Sequence, residues 1–574
     1  MKIALHQINS VVGNPLINLN RMLAMIEGKQ ADAHFFGELS LTGYYSQDIF
    51  FNKTLSGNVR VCLDSLKSVS RETLSSIGVG FPRENDAHGE KGLFNSFGVF
   101  GENSFIQDKI CLPTYKEFDE NRWFQAGAEE RVGIRKLGDE YFGFLICEDG
   151  WNSPHSGLQE KYRLYKADIY ETLYLQAKKQ GVVLSAFVNI SASPDYIGKQ
   201  EQRVSMFSKV AKHYDTPIVF VNIVGAQDEL IFGGRSFVLN KEGELVLQMK
   251  AFEEDSVVIE TMEINNMKPI ENSCSDMQEL DMMIGLYLKD YFYKSGLSKH
   301  KVVLGLSGGK DSTAVAVALK RHLGAEKVVG VMMPYKLGEY TMPASNEIGE
   351  RLASGLGIEV RTQAIDSMVE PVVKQLNLEI NSLAHQNVQA RVRANVLWSI
   401  ANSENAIVMN TTNFSEAAVG YGTIGGDLLG LPLIASIPAT MVIKYLNWLK
   451  DNGEDSLDLD MINREPSAEL TPGQLDSDEL GDYEYIDTIL EALRMTYGDE
   501  VAVRKQLLNK DKLEYERYWK DEEYFEKKLQ FLSKKLINQS EFKRWYYNRT
   551  PQFTPYSWLR WKWPLANAHM NKGE

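Results

Sequence analysis

A short apolar run that breaks into Ser307-Gly308-Gly309-Lys310-Asp311-Ser312 constrains the fold of this chain more than any other stretch. Lys301-Val302-Val303-Leu304 reads as a buried strand of a parallel sheet, and the Ala- and Val-rich segment from Thr313 to Leu323 has helical spacing. Between them, Gly308 and Gly309 let the backbone turn its N–H groups inward at a helix N-terminus, where aligned dipoles and unpaired donors favour an anion. Ser307 and Ser312 add hydroxyl donors, and Asp311 is placed to hold the Mg²⁺ that accompanies ATP. Glycines alone would fit a plain strand-to-helix turn capped by Ser312; the full order Ser-Gly-Gly-x-Asp-Ser favours a loop that holds a polyphosphate. A Walker loop needs Gly-x-x-x-x-Gly-Lys-Ser/Thr; here the two glycines are adjacent and Asp311, not Ser or Thr, follows Lys310, so the loop is not of that kind.

That order resembles the ATP-pyrophosphatase loop of the N-type family, whose members adenylate a carbonyl or carboxyl group and release pyrophosphate. The resemblance implies that Ser307, Gly308, Gly309, Lys310, Asp311 and Ser312 bind ATP, with AMP rather than the γ-phosphate transferred. The sequence around the loop agrees with such a layer. Strand-like runs at Val328–Met333, Val360–Ala364 and Ala406–Asn410 alternate with helical runs at Ser345–Leu356 and Gln389–Ser399, the pattern of a doubly wound parallel sheet.

Residues 1 to about 260 read as a second α/β region, with apolar strands at Ile3–Gln7, Ala33–Phe36, Ile77–Phe81, Ser96–Phe100, Tyr141–Ile146, Leu184–Asn189, Ile218–Ile223 and Phe237–Leu239. Helical patterns fall at Ile17–Ile26 and Tyr162–Lys179. Thr261–Ser275 has no clear period, and Ser275 or Asp276 is placed to cap a helix that runs to about Lys294. The expected organisation is a first domain over 1–262, a linker over 263–276 and a second domain over 277–574.

In the first half, Glu38, Lys109 and Cys147 each follow an apolar strand: Phe35-Phe36-Gly37-Glu38, Gln107-Asp108-Lys109 and Leu145-Ile146-Cys147-Glu148. A lone buried cysteine is usually a small core residue. Here a carboxylate and a lysine share its placement. A thiol of pKa about 8.5 needs a base or a cation beside it to act at neutral pH. The constellation resembles the nitrilase, or carbon–nitrogen hydrolase, superfamily, whose Glu-Lys-Cys triad acts in an αββα sandwich. By that resemblance Cys147 is the nucleophile, Glu38 its base, and Lys109 a cation for the oxyanion, helped by a backbone N–H near Glu148. Leu112-Pro113-Thr114-Tyr115-Lys116-Glu117-Phe118-Asp119-Glu120 resembles the family loop that carries a second catalytic glutamate, favouring Glu120 with Glu117 as the alternative. Tyr44, Tyr115, Trp151, Ser193 and Lys199 fall where glutaminase members line their glutamine pocket; taken alone, Tyr44 or Trp151 reads as core packing.

A glutamine-hydrolysing half followed by an adenylating half implies an amidotransferase, and the motif order resembles the glutamine-dependent NAD⁺ synthetases over nearly the whole chain. That resemblance implies glutamine, ATP and deamido-NAD⁺ as substrates. Gln389-Ala390-Arg391-Val392-Arg393 then meets the dinucleotide through Arg391 and Arg393, together with Asp427 of Gly426-Asp427-Leu428-Leu429-Gly430. Arginines in such a helix often form only surface ion pairs. Asn410-Thr411-Thr412-Asn413-Phe414-Ser415-Glu416 resembles the family's strand-to-helix segment, which implies that Thr411 lies near ATP and that Glu416 joins Asp311 as a Mg²⁺ ligand. Ser467, in Pro466-Ser467-Ala468-Glu469-Leu470, falls in what resembles the family's second loop over the phosphates. Four positions depart from the family pattern: Ala439 where a lysine is usual, Leu431 for the last glycine of the Gly-Asp turn, Gly425 for a tyrosine, and Gln386 for a glutamate. The C-terminal region keeps Lys543-Arg544 but is unusually aromatic.

The net charge of −15 argues against nucleic acid or an anionic membrane as a general partner. The same charge, with the intact Ser-Gly-Gly-x-Asp-Ser loop, disfavours a reading of the second half as a nucleotide- or RNA-binding module whose tail aromatics stack bases; the departures from the family pattern leave open a related amidotransferase acting on a different carboxylate. The N-terminal residues lack the apolar core of a signal peptide, and no run reaches the roughly 20 apolar residues of a membrane span. Cys62, Cys111, Cys147 and Cys274 show no paired spacing. A cytoplasmic enzyme is therefore expected, and the family resemblance suggests a homo-oligomer.

Overall fold

A computed structural model of the chain describes residues 1–157, 164–271, 274–336, 343–464, 470–471, 481–509, 516, 521–544 and 550–555. The chain divides into two compact units, Met1–Asp276 and Met277–Glu574.

The first unit holds two six-stranded mixed sheets. One orders its strands β14-β1-β2-β3-β4-β5, with β1 Lys2–Gln7, β2 Ala33–Phe36, β3 Ser76–Glu84, β4 Leu93–Phe100, β5 Phe105–Asp108 and β14 Asp255–Glu260. The other orders them β13-β12-β9-β8-β7-β6, with β6 Arg135–Leu137, β7 Glu140–Ile146, β8 Leu184–Ser191, β9 Ile218–Asn222, β12 Phe237–Leu239 and β13 Leu245–Gln248. A hairpin of β10 Val224–Gln227 and β11 Leu230–Gly233 stands apart. Strand alternation sorts the side chains. Ile3, Leu5, Phe35, Phe97 and Val99 of the first sheet pack against Phe142, Phe144, Ile146, Val188 and Val221 of the second. The outer face of the first sheet, through Phe36, Ile77 and Val79, meets helices Pro15–Ile26 and Lys53–Thr73. Leu145, Phe187 and Phe220 meet helices Ile169–Gln180 and Lys199–Tyr214 on the other side. The result is the αββα sandwich that the sequence suggested.

Three features were not legible in the hydrophobic pattern. Helix Lys53–Thr73 buries Leu55, Val59, Cys62 and Leu66 along one face, but Val61, Leu63 and Val69 among its polar residues blur that stripe. The strand before Lys109 was expected but not its extent, since β5 is only four residues long. Thr261–Asn266, where no period was visible, forms a 3₁₀ turn that puts Ile264 into the inter-sheet core.

In the second unit a five-stranded, wholly parallel sheet runs β17-β16-β15-β18-β19. Its strands are β15 Val302–Gly305, β16 Val328–Met332, β17 Glu359–Thr362, β18 Ile407–Asn410 and β19 Leu431–Pro432. The chain winds outward from β15 to β17, then returns to add β18 on the other side of β15. The loops after β15 and β18 therefore leave the sheet side by side, at the switch point where doubly wound sheets bind ligands. Leu431, an unexpected residue for a turn, is the first residue of the edge strand and pairs with Met409.

One close approach fixes the loop after β2. A Cβ on Gly80 of β3 would lie 2.3 Å from the backbone nitrogen of Leu39 and 2.7 Å from the Gly37 carbonyl. Gly80→Ala should therefore cost about 1–3 kcal/mol by overpacking. Urea unfolding should show a lower midpoint, and an unchanged midpoint would contradict this packing.

Candidate active site

The site of the first unit is assembled at strand ends. Glu38 lies just beyond β2, Lys109 follows β5 directly, and Cys147 follows β7 directly as the cap of the short helix Glu148–Trp151. Cys147 holds φ 46° and ψ −99°, a backbone conformation that a side-chain-bearing residue adopts only when its surroundings enforce it. Those surroundings are hydrogen bonds: the Cys147 N–H donates to the Ile190 carbonyl at 2.9 Å, and Asn189 Nδ2 donates to the Cys147 carbonyl at 3.3 Å. Asp149 adds a clamp, accepting from the N–H groups of Ile110, Cys111 and Ile146. The segments after β5 and β7 are thus fastened together.

Lys109 sits between two carboxylates. Its Nζ donates to Glu38 Oε1 at 2.7 Å and to Glu120 Oε1 at 2.6 Å, and all three side chains are buried. Of the two glutamates left open by the sequence, Glu120 is the one that reaches Lys109; Glu117 is half-buried and lies in the field of Lys116 and Lys199. The Tyr44 hydroxyl donates to Glu120 Oε1 at 2.7 Å, and the Ala192 N–H donates to Glu38 Oε2 at 2.9 Å. Asn95, a residue the sequence reading did not single out, donates to both carboxylates. Its one signal was the polar pair Asn95-Ser96 set inside the apolar run Leu93-Phe94-Asn95-Ser96-Phe97.

The electrostatics follow from this arrangement. Burial opposes the charge of Lys109, but Glu120 and Glu38 overcome that penalty and hold its pKa well above the ordinary value. Burial pushes the Glu120 carboxyl up to about 7, against the pull of Lys109 and with a further push from Glu38. Burial also raises the Cys147 thiol well above its usual range; Glu38 adds to this, and Lys109 offsets only part of it. A lysine flanked by two carboxylates has little positive field left to offer a thiolate. The resting Cys147 is consequently a thiol that needs a base, which is a different device from an ion-paired thiolate.

The outer residues surround this core. Tyr115 donates to Glu148 Oε2 at 2.8 Å, and burial pushes the Glu148 carboxyl up to about 7. Lys199 Nζ stands 4.0 Å over the Trp151 ring and donates to Gln202 Oε1. Burial and Arg203 bring the Lys199 ammonium down to about 7. Ser193 Oγ accepts from Nε of the buried Arg203, whose guanidinium also donates to Asp195 and to the carbonyls of Ser193 and Pro194. Arg203 is a second residue that the sequence did not reveal. It lies on an amphipathic helix where an arginine normally reads as solvated.

In the second unit Gly308, at φ +72°, makes the turn after β15, and helix Lys310–Leu323 begins beyond Gly309. Ser312 Oγ donates to the Gly309 carbonyl at 3.0 Å, and the Gly309 N–H donates to Ser307 Oγ at 3.2 Å, so the two serines close the loop on itself. Lys310 and Asp311 are half-buried beside it. Asn413 Nδ2 donates to Asp311 Oδ1 at 3.1 Å, while Asn413 and Glu416 form a reciprocal capping box on helix Phe414–Val419. Asp311 and Glu416 are thereby linked through one amide. Thr411 is half-buried immediately after β18. Asp427 is exposed; its side chain accepts from the Thr423 N–H and its carbonyl from Asn410 Nδ2. The two arginines of helix Leu383–Glu404 part company: Arg391 Nε donates to the Ile424 carbonyl, and Arg393 Nε to the Met333 carbonyl. Ala439 is buried, with its N–H on Ser415 Oγ. Lys543 donates to the carbonyls of Gly420 and Gly422, bracing the turn that follows helix Phe414–Val419. Ser467 and the aromatic residues beyond Arg544 that the sequence singled out lie outside the described residues.

Comparison with known proteins covers both units. Residues 2–271 match the carbon-nitrogen hydrolase family and residues 282–530 the NAD synthase family. The glutamine-dependent NAD(+) synthetase of Synechocystis sp. is 31% identical over 100% of this chain and 99% of its own length. That of Aquifex aeolicus is 31% identical over 89% of this chain and 91% of its own. Among solved structures, the glutamine-dependent NAD+ synthetase from Acinetobacter baumannii in complex with ADP is similar at TM-score 0.71 and 26% identity, with 98% of each chain covered. The Cytophaga hutchinsonii enzyme shares the fold at TM-score 0.77 and 18% identity, covering 100% of this chain and 98% of that one.

The state of Cys147 is open to test. Alkylation of Cys147 by iodoacetamide, followed by peptide mass spectrometry, should accelerate steadily from about pH 6 to 9 as a neutral thiol ionises. A rate that is already at its plateau at the acid end would reveal an ion-paired thiolate and contradict the geometry.

Proposed function

We propose that this chain, which belongs to the glutamine-dependent NAD(+) synthetase family, hydrolyses glutamine in its first unit and uses the ammonia to amidate deamido-NAD⁺ in its second, cleaving ATP to AMP and pyrophosphate. The observation that carries the first half is the Glu38–Lys109–Glu120 cluster around the Cys147 thiol.

In this reading glutamine enters over Trp151 and Tyr115, with Ser193 and Lys199 meeting its polar groups. Glu38 takes the thiol proton as Cys147 Sγ attacks the side-chain amide carbon. Lys109 Nζ and the backbone N–H of Glu148 receive the oxyanion of the tetrahedral adduct. Collapse of the adduct returns the proton to the leaving nitrogen, so that ammonia departs and a γ-glutamyl thioester remains. Water, deprotonated by Glu38, then releases glutamate and restores the thiol. Glu120 keeps Lys109 charged and fixed through the cycle.

In the second unit the loop Ser307–Ser312 cradles the phosphates of ATP. An oxygen of the nicotinate carboxylate attacks the α-phosphorus and expels pyrophosphate; ammonia attacks the resulting acyl adenylate and expels AMP. Asp311 and Glu416 offer hard carboxylate oxygens linked through Asn413, a donor set that suits Mg²⁺. The ion, when bound with ATP, draws negative charge from the phosphates. Arg391, Arg393 and Asp427 would meet the dinucleotide. The absence of a lysine at position 439 leaves Lys310 as a cation of the loop itself. None of the four cysteines forms a disulfide, and no described helix is long and apolar enough to cross a membrane; we expect a cytoplasmic homo-oligomer.

Cys147→Ala should separate the two chemistries. With glutamine it should form no NAD⁺, because neither Glu38 nor Lys109 can replace sulfur as nucleophile. With concentrated ammonium salt at mildly alkaline pH it should still convert deamido-NAD⁺ and ATP. Glutamine-dependent synthesis at the wild-type rate would refute the role of Cys147, and absence of ammonia-dependent synthesis from the wild-type chain would refute the acceptor. The converse variant, Asp311→Asn, should abolish pyrophosphate release yet still liberate ammonia from glutamine. Normal amidation by that variant would remove Asp311 from the metal site.

A further inference from the structure

Apart from Lys109, Asn95 is the only side chain among the described residues that hydrogen bonds to both carboxylates of the first site. Its Nδ2 donates to Glu38 Oε1 at 2.7 Å and to Glu120 Oε2 at 3.3 Å. Its backbone carbonyl accepts the Lys109 N–H at 2.8 Å. One residue of β4 therefore touches three members of the cluster, each of which comes from a different segment.

The amide can point only one way. Reversing it would set the carbonyl oxygen against the oxygens of two carboxyl groups and forfeit both donations. The orientation has a cost that is visible in the structure: Asn95 Oδ1 is buried without a hydrogen-bond partner. A buried acceptor left unpaired is unfavourable and calls for a reason. The reason lies at Glu38. Its Oε1 accepts both Lys109 Nζ and Asn95 Nδ2, and its Oε2 accepts only the Ala192 N–H. The second oxygen retains a lone pair for a proton.

We infer that Asn95 is a positioning residue of the proposed glutaminase reaction, which fixes Glu38 through Oε1 and leaves Oε2 to take the Cys147 proton. The inference rests on that reaction and adds to it a neutral donor on which the acid limb of its pH profile depends. The groups that face Glu38 and Glu120 are Lys109 at the end of β5, Tyr44 beyond β2, Cys147 and Glu148 beyond β7, and Tyr165. Lys109 is the one cation among them. The other ionisable groups there oppose a second negative charge, so the neutral donors, Asn95 Nδ2 and the Ala192 N–H, complete the hold on the Glu38 carboxylate. A hydrogen bond to the ionised form favours it, and removing the bond lets the carboxylate hold its proton to higher pH.

The test is ammonia release from glutamine by the full-length chain, followed from acid to alkaline pH for wild type, Asn95→Ala, Asn95→Asp and Asn95→Ser. At neutral pH the alanine variant should lose roughly 10–100-fold in kcat with little change in KM, the pattern of a lost transition-state contribution. Its acid limb should move up by about one unit. Asn95→Asp, which keeps the shape but adds a third acid to the cluster, should move it further. Asn95→Ser, which retains an uncharged donor, should return the limb toward wild type. A purely structural asparagine would lower the amplitude and leave the limb in place; coincident acid limbs in all four proteins would overturn the inference. A wild-type chain that releases no ammonia would instead defeat the reaction on which the inference rests.

Discussion

Lys109 held between Glu38 and Glu120 is the interaction around which the first unit is organised. The two contacts span 71 and 11 residues of sequence, so the ion triad cannot form until the loops after β2 and β5 and the turn at Glu120 have come together. Buried charges of this kind are a demanding choice. Removing one partner strands the others and typically costs about 3–5 kcal/mol, whereas intact pairs add little net stability. Such a cluster is better understood as a fixed electrostatic environment than as a source of stability. It fixes the chemistry as well, because a lysine neutralised on both sides leaves the thiol to a base.

The second unit achieves its site through topology. No group of three or more His, Cys, Asp or Glu side chains among its described residues converges as a metal cage. Instead the reversal of strand order places the loop after β15 beside the loop after β18, and Asn413 ties Asp311 to the helix that carries Glu416. This suits a site in which a nucleotide supplies most of the ligands to its ion.

Much of this was legible because backbone demands leave marks in sequence. The turn after β15 needed a residue tolerant of positive φ, and Ser307-Gly308-Gly309 declares it. Glu38, Lys109 and Cys147 stood out because each ends an apolar run. Other parts left weaker marks. Helix Lys53–Thr73 exposes so much polar surface that its buried stripe of Leu55, Val59, Cys62 and Leu66 was diluted. Asn95 and Arg203 are buried polar residues, and a sequence cannot say whether a polar side chain will be buried until the partners that satisfy it are known. Leu431 looked like a defect in a turn and is a strand residue, since pairing with Met409 outweighs the usual turn preference.

The account joins two chemistries through one nitrogen atom, and following that atom tests it most directly. Wild-type protein given deamido-NAD⁺, ATP and glutamine labelled with ¹⁵N only at the side-chain amide, in the presence of unlabelled ammonium at low concentration, should yield NAD⁺ heavier by one mass unit. AMP and pyrophosphate should appear in equal amounts. Unlabelled NAD⁺, or ATP consumed to AMP with the label remaining in glutamine, would contradict the account.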